Sequence, residues 1–516
     1  MGQVAFAGKE LERPENRVRT FAPATGELLA EVPVTTDEEV RRTVARARKA
    51  QAAWAVLPVQ ERMARLLRLR DAFAEKAEDL VEVVSRECGK PRHEALVHEV
   101  TTLLDTLGWV CKAAPEALAP ERTPLHLMKH RASETRYVPR GVVGVISPWN
   151  FPLVIPMGSV VEALAAGNAC VVKPSEVTPL VMLEAKKIFD STGLPEDLLG
   201  VVIGYGKTGQ ALLDAGVDYC VFTGAVSTGR KVAAACGERL IPCTMELGGK
   251  APLVACEDCD VERTAKAIVF GGFANSGQVC ISVERVYAGA AVYEPLLERV
   301  RALVGELRQG DPGQDYVDVG AIIFPKQIDV ARAHVQDAVN KGARVVCGGK
   351  AIPGAGQFFE PTVLADCDHS MTVMREEIFG PVVPFMRVGS DDEALRLAND
   401  SHLGLNAYVF TESRDRARRM CASIEAGSVV VNDVLSNYAI AEAPFGGIKQ
   451  SGFGRVHGIE GLREMCTRKH VSWERFKSPA PPHWFPYTAK SFHWLQRGVH
   501  VLFGGGSLAK RIGELF

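Results

Sequence analysis

Apolar positions in the first ninety residues recur at helical spacing. Thr35-Thr36-Asp37-Glu38-Glu39 supplies a cap and first-turn acids, apolar Val40, Val44 and Ala47 follow, and Pro58 stops the run. A second amphipathic stretch from Glu61 to Asp79 predicts a helix with Met63, Leu66, Leu67 and Phe73 on its buried side, which leaves Arg62, Arg65 and Arg68 as a solvated face. From residue 141 the pattern changes to short Val/Ile-rich runs, each closed by a turn residue or charge and followed by a helical stretch. These are Val142–Ile146, Cys170–Val172, Val201–Ile203, Tyr219–Phe222, Pro252–Ala255 and Ser428–Val431. At the far end Phe492, Leu495, Val499 and Leu502 form a stripe, and after Gly504-Gly505-Gly506 the residue Ser507 is placed to cap a second short helix bearing Leu508, Ile512 and Leu515.

Strands without alternation, buried on both faces and separated by helices, predict an α/β fold with a parallel, doubly wound sheet. In such a sheet ligands bind at the carboxyl ends of the strands, so chemistry is expected in the segments that follow them. The 516 residues allow two or three domains. With 60 Lys and Arg against 62 Asp and Glu the net charge is −2, which gives no field to draw nucleic acid. Thirteen irregularly spaced cysteines and a start without a signal stretch point to a reducing, cytoplasmic setting. Cys256 and Cys259 have C-x-x-C spacing but no second ligand pair, so they read as loop cysteines and no metal is expected.

Gly204-Tyr205-Gly206-Lys207-Thr208-Gly209 is a complete G-x-G-x-x-G, yet the next strand ends in Phe222-Thr223-Gly224 without the acid that should hold a ribose. Cys170-Val171-Val172 instead runs into Lys173-Pro174-Ser175-Glu176, where Lys173 and Glu176 suit a ribose diol and a carboxylate would repel a 2′-phosphate; a plain strand-to-helix turn fits those residues as well. Four further segments stand out. Ser147-Pro148-Trp149-Asn150-Phe151-Pro152 presents an amide on a stiff turn, and Gly224-Ala225-Val226-Ser227-Thr228-Gly229 opens a helix that suits a phosphate. Met245-Glu246-Leu247-Gly248-Gly249-Lys250 sets a carboxyl before two glycines, and Asn275-Ser276-Gly277-Gln278-Val279-Cys280 sets a thiol after a glycine turn.

Together with Glu376-Glu377-Ile378-Phe379-Gly380-Pro381 and Pro444–Gly452, these motifs, in this order over nearly the whole chain, resemble the aldehyde dehydrogenase superfamily. The resemblance implies an NAD-dependent oxidation of an aldehyde to its acid. Cys280 would be the nucleophile, Asn150 and the Cys280 N–H the oxyanion donors, and Glu246 the general base. It implies Glu377 at the nicotinamide ribose, Lys173 and Glu176 at the adenosine ribose, Trp149 and Gly224 to Gly229 around the pyrophosphate, and Ser175, Leu247 and Phe379 as further cofactor contacts. It also makes the Gly204–Gly209 segment a structural turn.

The sequence departs from the family pattern in three places. Ser159 stands where many relatives carry lysine, and Val456 where many carry glutamate, the two residues thought to pass protons between the base and solvent. Losing both avoids a lone buried charge, and proton exchange through water or backbone is expected in their place. Ala225 replaces a common phosphate-binding serine. Glu246 favours hydrolysis over release to coenzyme A, whose users typically lack it, and its retention with Cys280, Asn150 and Glu377 argues against a non-enzymatic reuse of the fold. Arg285, five residues after Cys280, serves equally as an anchor of that loop or as a substrate contact.

The implied architecture is an NAD-binding, Rossmann-type domain over 1–116 and 140–248, an α/β catalytic domain over 249–448 and a β-hairpin oligomerisation arm over 117–139 and 465–473. The resemblance also implies a homodimer or homotetramer joined through that arm. Residues 474–516 form an extension, and the stretch 473–516 holds nine of the 36 aromatic residues with six basic and two acidic residues. Either it packs on a partner subunit or across the entrance to the active site, or it makes a peripheral membrane contact. The run from Gly498 to Ala509 free of Lys, Arg, Asp and Glu is too short to span a bilayer.

Overall fold

The computed structural model describes residues 4–6, 9–11, 16–313, 317–476, 483–507 and 509. The chain divides into two compact units, residues 1–119 with 137–467 and residues 120–136 with 468–516.

The larger unit is built on two mainly parallel sheets. In the six-stranded sheet the order is Gly452–Phe453, Cys243–Glu246, Tyr219–Thr223, Val142–Ile146, Ala169–Lys173, Leu199–Val201, parallel except for the first strand. The chain winds outward from Val142–Ile146 to Leu199–Val201, then returns to lay Tyr219–Thr223 on the other side. That reversal makes a topological switch point between Val142–Ile146 and Tyr219–Thr223, where a crevice is expected at the carboxyl ends. The seven-stranded sheet runs Arg344–Cys347, Thr362–Ala365, Val382–Val388, Arg285–Gly289, Pro252–Ala255, Asn406–Phe410, Ser428–Val431, with only the first strand antiparallel. Glu246 and Pro252, six positions apart in sequence, therefore belong to different sheets.

The central strands Val142–Ile146 and Ala169–Lys173 are buried along their whole length, which is why they read as unbroken apolar runs. The helix Asp37–Ala55 begins with a complete capping box between Thr36 and Glu39 and buries Val40, Val44, Ala47 and Trp54. The expected helix over 61–79 is two, Val59–Glu75 and Ala77–Cys88, broken at Lys76. Arg62 is not on a solvated face: it is buried and donates from Nε to Ala165 O at 3.2 Å and from Nη1 to Leu57 O at 2.6 Å. A strand expected at 201–203 lies at Leu199–Val201. Residues Ala95–Thr101 wind as a π-helix, which no apolar spacing in the sequence announces.

The smaller unit contains a sheet in the order Cys466–Glu474, Arg131–Pro139, Glu121–Arg122. Ser133 Oγ meets His470 Nε2 at 2.8 Å, and Arg131 Nε donates to Ser472 Oγ at 2.9 Å. Its helix Ala489–Phe503 is capped by Thr488 and Ser491 and carries the predicted stripe. Pro479–Pro482 and the apolar residues of the second short helix, Leu508, Ile512 and Leu515, lie outside the described residues. Among the described residues no helix is long and apolar enough to cross a membrane.

Candidate active site

The turn that follows Val142–Ile146 carries Asn150, and two buried charges hold it. Lys90 Nζ donates to Asn150 O at 3.0 Å and pairs with Glu99 Oε1 at 2.7 Å, both side chains being wholly buried. Glu99 Oε2 accepts from Leu153 N at 3.1 Å and Val154 N at 2.9 Å, at the start of the helix Val154–Ala166. One ion pair thus fixes the turn from both ends. The Asn150 amide donates to Gln278 O at 3.0 Å. An amide nitrogen carries two N–H groups, so the second is left for an oxygen in the cleft that Asn150 lines with Cys280.

The thiol loop is backbone of unusual hand. Asn275, Ser276 and Gly277 all have positive φ, and a Cβ on Gly277 would sit 2.2 Å from Gly380 O, so only glycine fits. The strained loop is held on every side: Asn275 N donates to Glu94 Oε2 at 2.9 Å, Asn275 Nδ2 to Asn150 O at 3.1 Å, Ser276 Oγ to Gly320 O at 2.9 Å, and Gln278 Oε1 accepts from Ile323 N at 2.8 Å. Cys280 follows. Burial, with the Glu377 and Glu246 carboxylates nearby, pushes its thiol up to about 12. At rest it is a thiol and needs a base.

Glu246 ends the strand Cys243–Glu246, in register with Thr223 on one side and Gly452 on the other. It is buried, and neither carboxylate oxygen has a hydrogen-bond partner among the described residues. Burial raises its carboxyl well above the usual range, opposed by the Arg455 guanidinium. Glu246 and Cys280 line one small chamber of about 20 Å³, room for a single water molecule. Ser159, Tyr438, Val456 and His457 complete its wall, so the two departures from the family pattern sit beside the base.

A second cavity, a cleft of about 210 Å³ at the switch point, brings together Trp149, Asn150, Gly224, Glu246, Leu247, Cys280, Glu377 and Phe379. The Glu376–Gly380 turn is positioned by a further buried pair. Lys250 Nζ donates to Glu284 Oε2 at 2.8 Å, and Glu284 accepts from Ile378 N and Phe379 N. Glu377 Oε1 accepts from Gly249 N at 3.0 Å, and burial beside Glu284 raises its carboxyl. Trp149 packs edge-on against Phe379 at 5.3 Å.

Lys173, Ser175, Glu176 and Gly229 are not among the cleft's lining residues. Lys173 pairs with Ile146 in the sheet register, and its Nζ lies 3.7 Å from Glu176 Oε2. Ser175 Oγ accepts from Val177 N at 3.2 Å. A Cβ on Gly229 would meet Leu247 at 2.4 Å, so this glycine lets the helix Val226–Glu238 pack closely. That helix has no side-chain cap, which leaves its first N–H groups for an anion. The Gly204–Gly209 segment lines no part of the cleft; Tyr205 OH donates to Arg17 O instead. Arg285 is an anchor: it is buried and donates to the carbonyls of Lys250, Leu397 and Ala398. Among the described residues no group of three or more His, Cys, Asp or Glu could hold a metal.

A third cavity, of about 330 Å³, also reaches Cys280, past Phe151, Ile155 and Tyr438. Cys280 therefore stands where three spaces meet. Lys90, Glu99, Glu94 and Glu284 carry no motif that marks them in the sequence, Gly89 at φ 62° marking only a turn beside Lys90, and Lys250 is seen there only as the end of the Met245–Lys250 motif.

The profile of the aldehyde dehydrogenase family matches residues 11–471. A 4,4'-diapolycopene aldehyde oxidase of Methylomonas sp is 37% identical over 497 residues, 96% of this chain and 93% of that protein. A protein of Mycolicibacterium smegmatis, provisionally named an NADP(+) succinate-semialdehyde dehydrogenase, is 38% identical over 463 residues, 89% of each chain. The crystal structure of an NAD-dependent aldehyde dehydrogenase from Sinorhizobium meliloti superposes with a TM-score of 0.87 at 32% identity, covering 94% of this chain and 96% of that one.

Two predictions follow from this geometry. Lys90→Met strands the buried Glu99 and releases the Asn150 turn; stability to urea should fall by about 3–5 kcal/mol and kcat on the order of 100-fold, with the pH–rate profile unmoved because no titrating group at the thiol has changed. Ser159→Lys places a cation at the chamber wall, and the pH–rate profile should move toward lower pH as Glu246 ionises more readily, a move that adding Val456→Glu should partly reverse; an unchanged profile means the chamber wall does not govern the base.

Proposed function

The chain belongs to the aldehyde dehydrogenase family, whose members oxidise aldehydes to acids, and on that premise we propose that it does so with NAD through a thioester on Cys280 that Glu246 hydrolyses. The observation that carries this reading is the water-sized chamber lined by both Cys280 and Glu246.

The cleft suits a nicotinamide dinucleotide. The uncapped start of the helix Val226–Glu238 matches a pyrophosphate, Glu377 a ribose, and the Trp149 and Phe379 rings the flat remainder. Bound there, such a cofactor accepts the hydride. The residues do the rest. Glu246 takes the thiol proton as Cys280 Sγ bonds to the carbonyl carbon, and the carbonyl oxygen becomes an oxyanion facing the second N–H of Asn150. Loss of hydride from that carbon leaves the thioester. Glu246, having shed its first proton, takes one from the chamber water; the water oxygen bonds to the acyl carbon, the carbon–sulfur bond breaks with its electron pair on Sγ, which takes that second proton back from Glu246, and the acid leaves. Burial makes Glu246 a stronger base than an ordinary carboxylate, which this double duty requires.

For the cofactor, the names of relatives divide between NAD and NADP(+). Glu176 beside Lys173 favours NAD, because a carboxylate there repels a 2′-phosphate. The names divide on the aldehyde too, between diapolycopene aldehyde and succinate semialdehyde. The exposed strand Cys466–Glu474 supports a homo-oligomer, since such an edge invites pairing with a second copy.

With an aldehyde and NAD, reduced cofactor should form faster than with NADP at equal concentration, and Cys280→Ala should cut the rate by more than about 1,000-fold. Because burial raises both Cys280 and Glu246, their active forms grow as pH rises, so kcat/KM should climb through the neutral and mildly alkaline range; Glu246→Gln should abolish turnover across it. A flat profile, or a Cys280→Ala enzyme that still turns over, contradicts the mechanism.

A further inference from the structure

The 330 Å³ cavity that reaches Cys280 has an apolar wall, including Val97, Phe151, Ile155, Phe270 and Val279, and no Lys or Arg among its lining residues. Its one formal charge is negative, that of the exposed Asp433. His98, which the π-helix turns into the wall, is pushed down to about 4 by burial and by Lys90, so it offers no cation. Lys90 itself is wholly buried and committed to Glu99. A carboxylate entering this space would give up its water, find no cation among the described lining residues and face Asp433. The mouth is apolar as well. Val97 and Phe270 are 40% and 46% exposed, and Leu96 and Ile440, next in sequence to lining residues, are 44% and 46% exposed. Val97 and Phe270, apolar lining side chains left partly in water, mark an opening that receives apolar material.

Resting on the family reaction proposed above, we infer that the substrate is an uncharged aldehyde with a long apolar chain that fills this cavity and lies across its rim, and that aldehydes carrying a distal carboxylate are excluded. Comparing decanal with succinate semialdehyde should give a kcat/KM ratio on the order of 100-fold or more in favour of decanal, and Val97→Arg should narrow it from both sides. A second reading needs no turnover: decanol should slow alkylation of Cys280 by iodoacetamide, and succinate should not. Protection by decanol without oxidation of any aldehyde would keep the pocket assignment and sink the reaction. Equal or better use of the semialdehyde, protection by succinate, or no protection by decanol would overturn the pocket assignment itself.

A separate observation concerns the helix Ala489–Phe503. Phe492, Leu495, Val499, Leu502 and Phe503 share one face, and Lys490, His493, Arg497 and His500 the other. Phe492, Val499, Leu502 and Phe503 are 64%, 59%, 53% and 64% exposed. Trp484, Phe485 and Tyr487, just ahead of the helix, are exposed too, and residues 483–507 contain no Asp or Glu. At about 22 Å the helix is too short to span a bilayer, but an apolar face flanked by aromatics and backed by cations without acids is complementary to an anionic lipid surface. We propose that this helix lies in the headgroup region of an anionic bilayer. The full-length enzyme should float with vesicles of phosphatidylglycerol and phosphatidylcholine, less with phosphatidylcholine alone, and Lys490→Glu/Arg497→Glu and Phe492→Ser/Leu502→Ser should each abolish flotation while leaving oxidation of a soluble aldehyde unchanged. Failure of the wild type to float, or a change in sedimenting mass with the apolar variant and no change in flotation, would overturn the proposal and assign the face to a second copy of the chain.

Discussion

Everything at the reacting centre hangs on the Lys90–Glu99 pair. Two fully buried charges are tolerated only if every remaining donor and acceptor finds a partner, and here the partners are the backbone of Asn150, Leu153 and Val154. The pair cannot be satisfied until the turn after Val142–Ile146 is formed, and the turn, once formed, delivers Asn150 to the loop of Cys280. Stability and site geometry are thereby the same set of bonds. The Lys250–Glu284 pair repeats the device on the other side of the thiol, holding Ile378 and Phe379 and through them the turn that bears Glu377.

Burial also sets the chemistry. The same exclusion of water that makes those pairs strong raises the carboxyl of Glu246 and the thiol of Cys280. When the Glu246 carboxylate takes the thiol proton, one negative charge passes from oxygen to sulfur, so the number of buried charges does not change. Nearby, Glu162 is buried with one oxygen accepting from His457 N and the other without a partner among the described residues, its carboxyl pushed up to about 8 by burial. Glu162 therefore adds no second negative charge beside a base that must gain and lose a proton twice in each cycle, and the Arg455 guanidinium is the charge that base faces.

Much of this was legible in the sequence, for identifiable reasons. Strands buried on both faces leave uninterrupted apolar runs, so Val142–Ile146 and Pro252–Ala255 were read at their observed bounds. The turns at strand ends are dense in Gly, Pro and polar residues, and they hold Trp149, Asn150, Gly224, Glu246, Leu247, Cys280, Glu377 and Phe379, which one cleft gathers. Charged residues on helices were not legible in this way. Arg62, Glu99 and Glu162 are buried by tertiary packing, yet each carries a side chain that helical periodicity assigns to solvent, and Lys90, in the turn after Cys88, is a charge that no periodicity places inside. The π-helix at Ala95–Thr101 shifts the phase by a residue and so hid the part of the wall made by Val97 and His98.

The central claim is that Cys280 carries the acyl group and that Glu246 is needed to release it. The direct measurement is intact-mass spectrometry of the Glu246→Gln enzyme after prolonged incubation with NAD and an aldehyde at alkaline pH, where solvent hydroxide takes the thiol proton in place of Glu246, with Cys280 mapped by peptide digestion. The account predicts one acyl group per chain, attached at Cys280 and persistent for as long as hydrolysis is blocked. An acyl group on any other residue, or a Glu246→Gln enzyme that forms reduced cofactor in steady state and holds no adduct, would contradict it.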